Sequence, residues 1–111
     1  VEDLFRWDQS LYTEQLVSQA TLQQAFVRGR TNDGSATDYG FGWQLWEFRG
    51  LGAVSHSGGN SGFRTNFLRI PSERFTVIFL ANNSAVLPHT MSERIAEIYL
   101  WPGMAPRGVE A

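Results

Sequence analysis

Between residues 40 and 82 the chain reads as four strand-length segments separated by short turn-forming connections, and this pattern limits the fold more than any other feature. Residues 40–48 alternate imperfectly, with Phe41, Trp43 and Leu45 on one face and Gln44, Trp46 and Phe48 on the other. Arg49-Gly50 is a turn candidate, and residues 51–57 form a second strand. Residues 63–70 and 75–82 are the third and fourth, joined by Pro71-Ser72-Glu73-Arg74. The fourth segment, Phe75 to Ala81, is nearly all apolar, which predicts a central strand covered on both faces. Connections this short predict an antiparallel meander.

Helical patterns flank these strands. Residues 2–12 place Leu4, Trp7 and Leu11 on one stripe, with Phe5, Gln9 and Tyr12 beside it. A second helix is expected over about 19–27, with Leu22, Ala25 and Phe26 apolar and Ser18 or Thr21 as N-cap. Residues 28–38 are polar and rich in turn formers, and read as a surface loop. A third helix is expected over about 88–100, opened by Pro88, with Met91, Ile95, Ile98 and Tyr99 as its apolar stripe. The fold class is therefore α+β, an antiparallel sheet of about four strands covered by N- and C-terminal helices. Residues 1–102 form the domain, and 103–111 read as a flexible tail.

Composition removes several function classes. The 111 residues include no cysteine, which excludes disulfides, thiolate metal sites and a cysteine nucleophile. All nine basic residues are arginine, and they are scattered through a chain of net charge −2. No basic stripe suited to nucleic acid is present. No apolar run approaches the ~18 residues of a membrane span. No signal peptide is visible, and the compartment stays open between periplasm and cytoplasm. The chain begins at Val1, directly in a helical pattern, which reads as a cut inside a longer polypeptide.

The chemistry concentrates in His56-Ser57-Gly58-Gly59, followed by Asn60-Ser61-Gly62-Phe63. Together with Tyr39-Gly40-Phe41-Gly42-Trp43 upstream, then Pro71, then Phe75 to Asn82, this order resembles the C-terminal part of the serine β-lactamase-like family. That family includes class C β-lactamases, D-Ala-D-Ala and D-amino peptidases, and esterases. Asp3-Leu4-Phe5-Arg6-Trp7-Asp8 and Leu11-Tyr12 are similar to the helix preceding this region in the family. The resemblance covers about residues 1–100. It implies a fragment of the β-lactamase/transpeptidase-like fold.

The family's site has three elements: Ser-x-x-Lys, Tyr-x-Asn or Ser-x-Asn, and Lys-Thr-Gly or His-x-Gly on a cleft strand. Only the third maps here. The resemblance implies His56 at the basic position, Ser57 at the hydroxyl position, Gly58 at the glycine, and the Gly59 N–H as an oxyanion donor. Ser57 and Gly58 would then contact substrate. With no lysine in the chain, Ser-x-x-Lys is absent. Each tyrosine lacks an asparagine two residues on (Glu14, Phe41 and Trp101 stand there), so Tyr-x-Asn is absent too. Histidine in place of lysine weakens the positive field at neutral pH. That turns the parent from penicillin-type carboxylate binding towards an esterase or peptidase-like role.

Three other readings carry less. Ser57 with His56 as base is badly placed, because neighbours on a strand point to opposite faces. His56 and His89 lack an obvious third metal ligand, so no metal or other cofactor is expected. Asp8, Glu14 and Asp38 read as solvated surface, and the tryptophans mostly as core.

The expectation is a C-terminal fragment of a β-lactamase-like serine hydrolase, inert alone, whose parent acts on a β-lactam, D-amino peptide or ester. The alternative is a non-catalytic binding or assembly module. Without the N-terminal helices of the family, an apolar face of the 40–48 and 75–82 strands would be exposed. Self-association, or docking with the missing N-terminal part, is the expected consequence.

Overall fold

The computed structural model describes residues 1–106. Three helices, α1 (Glu2–Ser10), α2 (Gln19–Ala25) and α3 (Pro88–Leu100), accompany four strands, β1 (Gln44–Phe48), β2 (Leu51–Asn60), β3 (Phe63–Ile70) and β4 (Phe75–Ala81). The strands pair antiparallel in the order β1-β2-β3-β4. The architecture is α+β, as expected of a fragment of the β-lactamase fold.

Two of the three helix starts have a local cause. The Ser18 hydroxyl accepts the Thr21 N–H at 3.1 Å and caps α2. Pro88 opens α3, where a missing N–H costs nothing.

The sheet buries apolar side chains on both faces. On one, Phe48, Ala53, Leu68, Ile70 and Val77 pack with Ala96 of α3 and with Met104. On the other, Trp43, Leu45 and Val54 pack with Leu11 and Leu22. Each fully buried Val, Leu, Ile, Phe or Met side chain among them stabilises the fold by about 1.5–3 kcal/mol.

Several expectations change. β1 is shorter than residues 40–48, because the chain from Tyr39 to Trp43 bends to meet α2, with Phe41 N–H on Ala25 O at 2.9 Å. β4 lies at the edge of the described sheet rather than at its centre, and Leu80 is 50% exposed. Its apolar character comes from Phe75, Val77 and Phe79 packing into the α3-side core. On α3 the fully buried residues are Ser92 and Ala96, whose small side chains let the helix sit close to the sheet. Ile98 and Tyr99 face outwards. Of the four tryptophans only Trp43 is fully buried, and Trp101 is exposed beneath the Arg49 guanidinium.

Residues 103–105 are tied down. Met104 is buried, Ala105 N–H donates to Arg49 O at 2.8 Å, and Arg49 Nε donates to Ala105 O at 2.6 Å. The rest of the expected tail, from 107 on, lies outside the described residues.

Asp8 is the sharpest correction. It is 0% exposed and pairs with Arg69 at 2.6 Å, 61 positions along the chain. Arg69 stands beside Val54 in register, on the sheet face that α1 covers. Asp38 pairs instead with exposed Arg28, and Glu14 accepts the Gln19 N–H at 2.9 Å.

Candidate active site

The site lies on β2, and two turns determine which way its backbone points. Arg49-Gly50 and Ser61-Gly62 are two-residue hairpin loops with positive φ at both positions (49° and 86°, 45° and 89°). That is the type I′ geometry, which matches strand twist and favours glycine at its second position. In such a turn the residue after the loop donates its N–H to the carbonyl before it. Leu51 therefore points its N–H at β1, and Asn60 points its carbonyl at β3. Antiparallel strands alternate this direction residue by residue. Odd-numbered residues of β2 address the β1 side and even-numbered ones address β3, and both turns give the same parity.

β1 ends opposite Ser55, where Gln44 is its partner. Beyond that point β2 pairs only with β3. The backbone groups of Ser57 and Gly59 consequently address an edge with no strand partner among the described residues.

Side chains sort by the same alternation. His56 shares a face with Phe67, and Gly58 with Thr65. Ser57 lies on the opposite face with Asn66, and Gly59 with Arg64. The His56 ring folds round the edge. Its Nδ1 lies 2.7 Å from Ser57 O, and its Nε2 lies 3.0 Å from the Tyr39 hydroxyl. A carbonyl can only accept, so Nδ1 carries the proton. In the neutral ring Nε2 then accepts from the Tyr39 O–H. His56 thus caps the Ser57 carbonyl and leaves the Gly59 N–H on the edge. No contact joins His56 to the Ser57 hydroxyl.

The two glycines have different steric causes. A Cβ at Gly58 would lie 2.7 Å from Thr65 Oγ1, and one at Gly59 would lie 3.3 Å from Arg64 Nη1. Tyr39 and Arg64 are the members of this cluster that sequence reading left without a role. Tyr39 is 17 positions from His56, and only the bend after α2 brings the two together.

Two other features stand apart. A cavity of about 460 Å³ between α2 and the β1–β2 hairpin is lined by Tyr12, Gln19, Leu22 and Phe26, and stops short of His56. His89 borders a separate cleft with Gln44 and Ser55, across the sheet from His56. Among the described residues no group of three His, Cys, Asp or Glu residues could hold a metal ion. No helix among them is long and apolar enough to cross a membrane.

Comparison with known proteins identifies the family of the chain. The chain is 46% identical over 81 residues to penicillin-binding protein 4* of Bacillus subtilis (strain 168), covering 72% of this chain and 18% of that protein. It is 25% identical over 83 residues to a D-aminopeptidase of Gluconobacter oxydans (strain 621H), covering 75% of this chain and 16% of that protein. The chain thus spans less than a fifth of either relative's length. The family model for beta-lactamases matches residues 1–100, and the chain belongs to the beta-lactamase family.

Proposed function

We propose that this chain is the cleft-strand portion of a serine hydrolase that works through an acyl-enzyme, with the nucleophile supplied from outside residues 1–111. The observation that carries this reading is the open edge of β2, where the register directs the Gly59 N–H away from β3. Acyl transfer builds negative charge on a carbonyl oxygen. A preorganised N–H aimed at that oxygen is worth about 2.7–4 kcal/mol in the transition state. Gly59 supplies one such donor, and the nucleophile's own N–H supplies the second. Ser57, one residue before Gly58 on the same edge, offers a hydroxyl to substrate.

His56 orients the edge and offers its imidazole to proton transfer near the leaving group. Its proton on Nδ1 is held by Ser57 O, so the nitrogen that exchanges protons is Nε2, beside Tyr39. The names of the two relatives favour penicillin-like or D-amino peptide substrates, with esters as the third class.

The test is acyl-adduct mapping. The isolated chain and the longer polypeptide that carries it are exposed to a fluorescent penicillin and to an activated ester. The reading expects no adduct on the isolated chain, and an adduct in the longer polypeptide on a serine outside residues 1–111. A stable adduct on Ser57 or any other residue of this chain refutes it.

The second reading is a non-catalytic assembly module. Phe41, Phe63, Leu80, Ile98 and Tyr99 are all exposed, and β4 has a free edge among the described residues. Such surfaces recruit partners. Light scattering separates the two: concentration-dependent association supports assembly, and a monomer at high concentration opposes it.

A further inference from the structure

We infer that the cavity between α2 and the β1–β2 hairpin is a binding site in its own right, for a small neutral molecule with an apolar body and a carbonyl oxygen. The site is separate from the cleft strand and does not depend on the catalytic reading.

The cavity measures about 460 Å³, a size common among small-molecule sites. Leu22, Phe26, Leu45 and Val54 give it apolar walls where α2 faces the sheet. Gly52 lies on its floor. It pairs with Glu47 and stands two residues before Val54, so a side chain there would point to the same face. A Cβ at Gly52 would meet nothing within 4 Å, and no positive φ requires glycine at this position. The glycine keeps open a space that the backbone does not need.

Two polar groups that line this cavity lack partners. Arg69 is 2% exposed, and its Nε and Nη2 go to Asp8, which leaves Nη1 without an acceptor among the described residues. The Tyr12 hydroxyl is closed off from solvent and has no partner among them either. The Arg69 guanidinium lies 4.8 Å from the Tyr12 ring centroid, so the two groups are neighbours. A buried polar group without a partner is rare in a folded chain and calls for an explanation. A guanidinium only donates and a phenol O–H can donate, so the group that serves both is an acceptor. Both arginines of the wall already face a carboxylate, Arg69 on Asp8 and Arg28 on Asp38. The acceptor that fits is therefore neutral, a carbonyl rather than an anion.

The test titrates the ¹⁵N-labelled chain with acetanilide and with N-isopropylaniline, which keeps the skeleton and puts a methyl group in place of the oxygen. Slightly alkaline pH leaves both compounds uncharged. Acetanilide should bind about tenfold more tightly, as a hydrogen bond to a charged group allows. It should move the Leu22, Leu45 and Val54 amides and the Arg69 Nε–H, while His56 to Gly59 stay still. Tyr12→Phe removes only an unpartnered hydroxyl, so the fold should hold. It should narrow the preference by about threefold, the share of a neutral hydrogen bond, and leave N-isopropylaniline unchanged. Gly52→Leu should fill the floor and abolish binding of both compounds. Absence of saturable binding, equal affinity for the two compounds, a preference that Tyr12→Phe leaves intact, or binding that survives in folded Gly52→Leu overturns the site. Shifts centred on His56 to Gly59 overturn it too, by placing the ligand in the cleft. So does loss of binding in a polypeptide that joins this chain to the proposed nucleophile-bearing part, because the protein itself would then fill the cavity.

Discussion

Replacing Asp8 by alanine should be among the costliest substitutions on the α1 side of the sheet, and the structure sets its size. Asp8 is fully buried, and Arg69 is 2% exposed. Asp8 Oδ1 accepts Arg69 Nε at 2.6 Å and Thr76 Oγ1 at 2.8 Å, while Oδ2 accepts Gln9 Nε2 at 2.9 Å. Asp8→Ala leaves a guanidinium in the interior with no counter-charge and deprives Thr76 of its acceptor. Breaking one side of a buried pair costs about 3–5 kcal/mol. The Arg69 guanidinium also lies 4.8 Å from the Tyr12 ring centroid and 6.0 Å from that of Trp43. Those faces offset part of the loss, by about 1 kcal/mol. The expected cost is therefore about 3 kcal/mol, out of roughly 5–15 kcal/mol for a whole domain. In urea, with a slope near 2 kcal/mol per M, the midpoint should fall by about 1.5 M. The double variant Asp8→Leu, Arg69→Met removes both charges and should cost less than Asp8→Ala alone. A loss below about 1 kcal/mol for Asp8→Ala, or a double variant as unstable as the single, would falsify the claim that this pair holds α1 to the sheet.

Three further outcomes are expected. Tyr39→Phe removes the donor to His56 Nε2, so the Nδ1–H tautomer should lose population in long-range ¹H–¹⁵N spectra of the neutral ring; an unchanged ratio would show that Ser57 O alone sets it. Gly58→Ala should destabilise the chain by about 1–3 kcal/mol through overpacking against Thr65 Oγ1, with Thr65→Ala restoring most of it; equal stability of Gly58→Ala and wild type in urea would refute the close contact. Asp33 is held at about 2, against an ordinary 3.8, chiefly by the Thr31 hydroxyl and then by the Ser35 N–H. Because the folded value is lower, its contribution is full above about pH 4 and is lost as pH falls towards 2. The carboxyl ¹³C titration should show that midpoint, and Thr31→Val should raise it.

Much of the sheet was legible because its signals are local. Ser61-Gly62 and Arg49-Gly50 mark their own turns, and β3 runs from Phe63 to Ile70 as its pattern indicates. What escaped depends on distant partners. Asp8 carries no mark of burial, since its arginine is 61 positions away. Met91, Ile98 and Tyr99 looked like the buried stripe of α3, yet Ser92 and Ala96 take that place because close packing selects small residues there. Within the site, His56 to Gly59 stood out as a run of unusual composition. Tyr39 and Arg64 did not. One reaches His56 through a bend in the backbone, and the other lies over Gly59 only because the neighbouring strand is in that register.

The central claim is that the Gly59 N–H faces the substrate oxyanion, and replacing that single N–H by an ester oxygen tests it most directly. The replacement is made with glycolic acid at position 59, in a polypeptide that joins this chain to the proposed nucleophile-bearing part. The side chains and the β2–β3 register stay in place, because Gly59 directs its N–H to the open edge. The account predicts that kcat falls by about 10²–10³ while KM changes little. A kcat within about threefold of the unmodified enzyme would contradict it and assign the oxyanion to other donors.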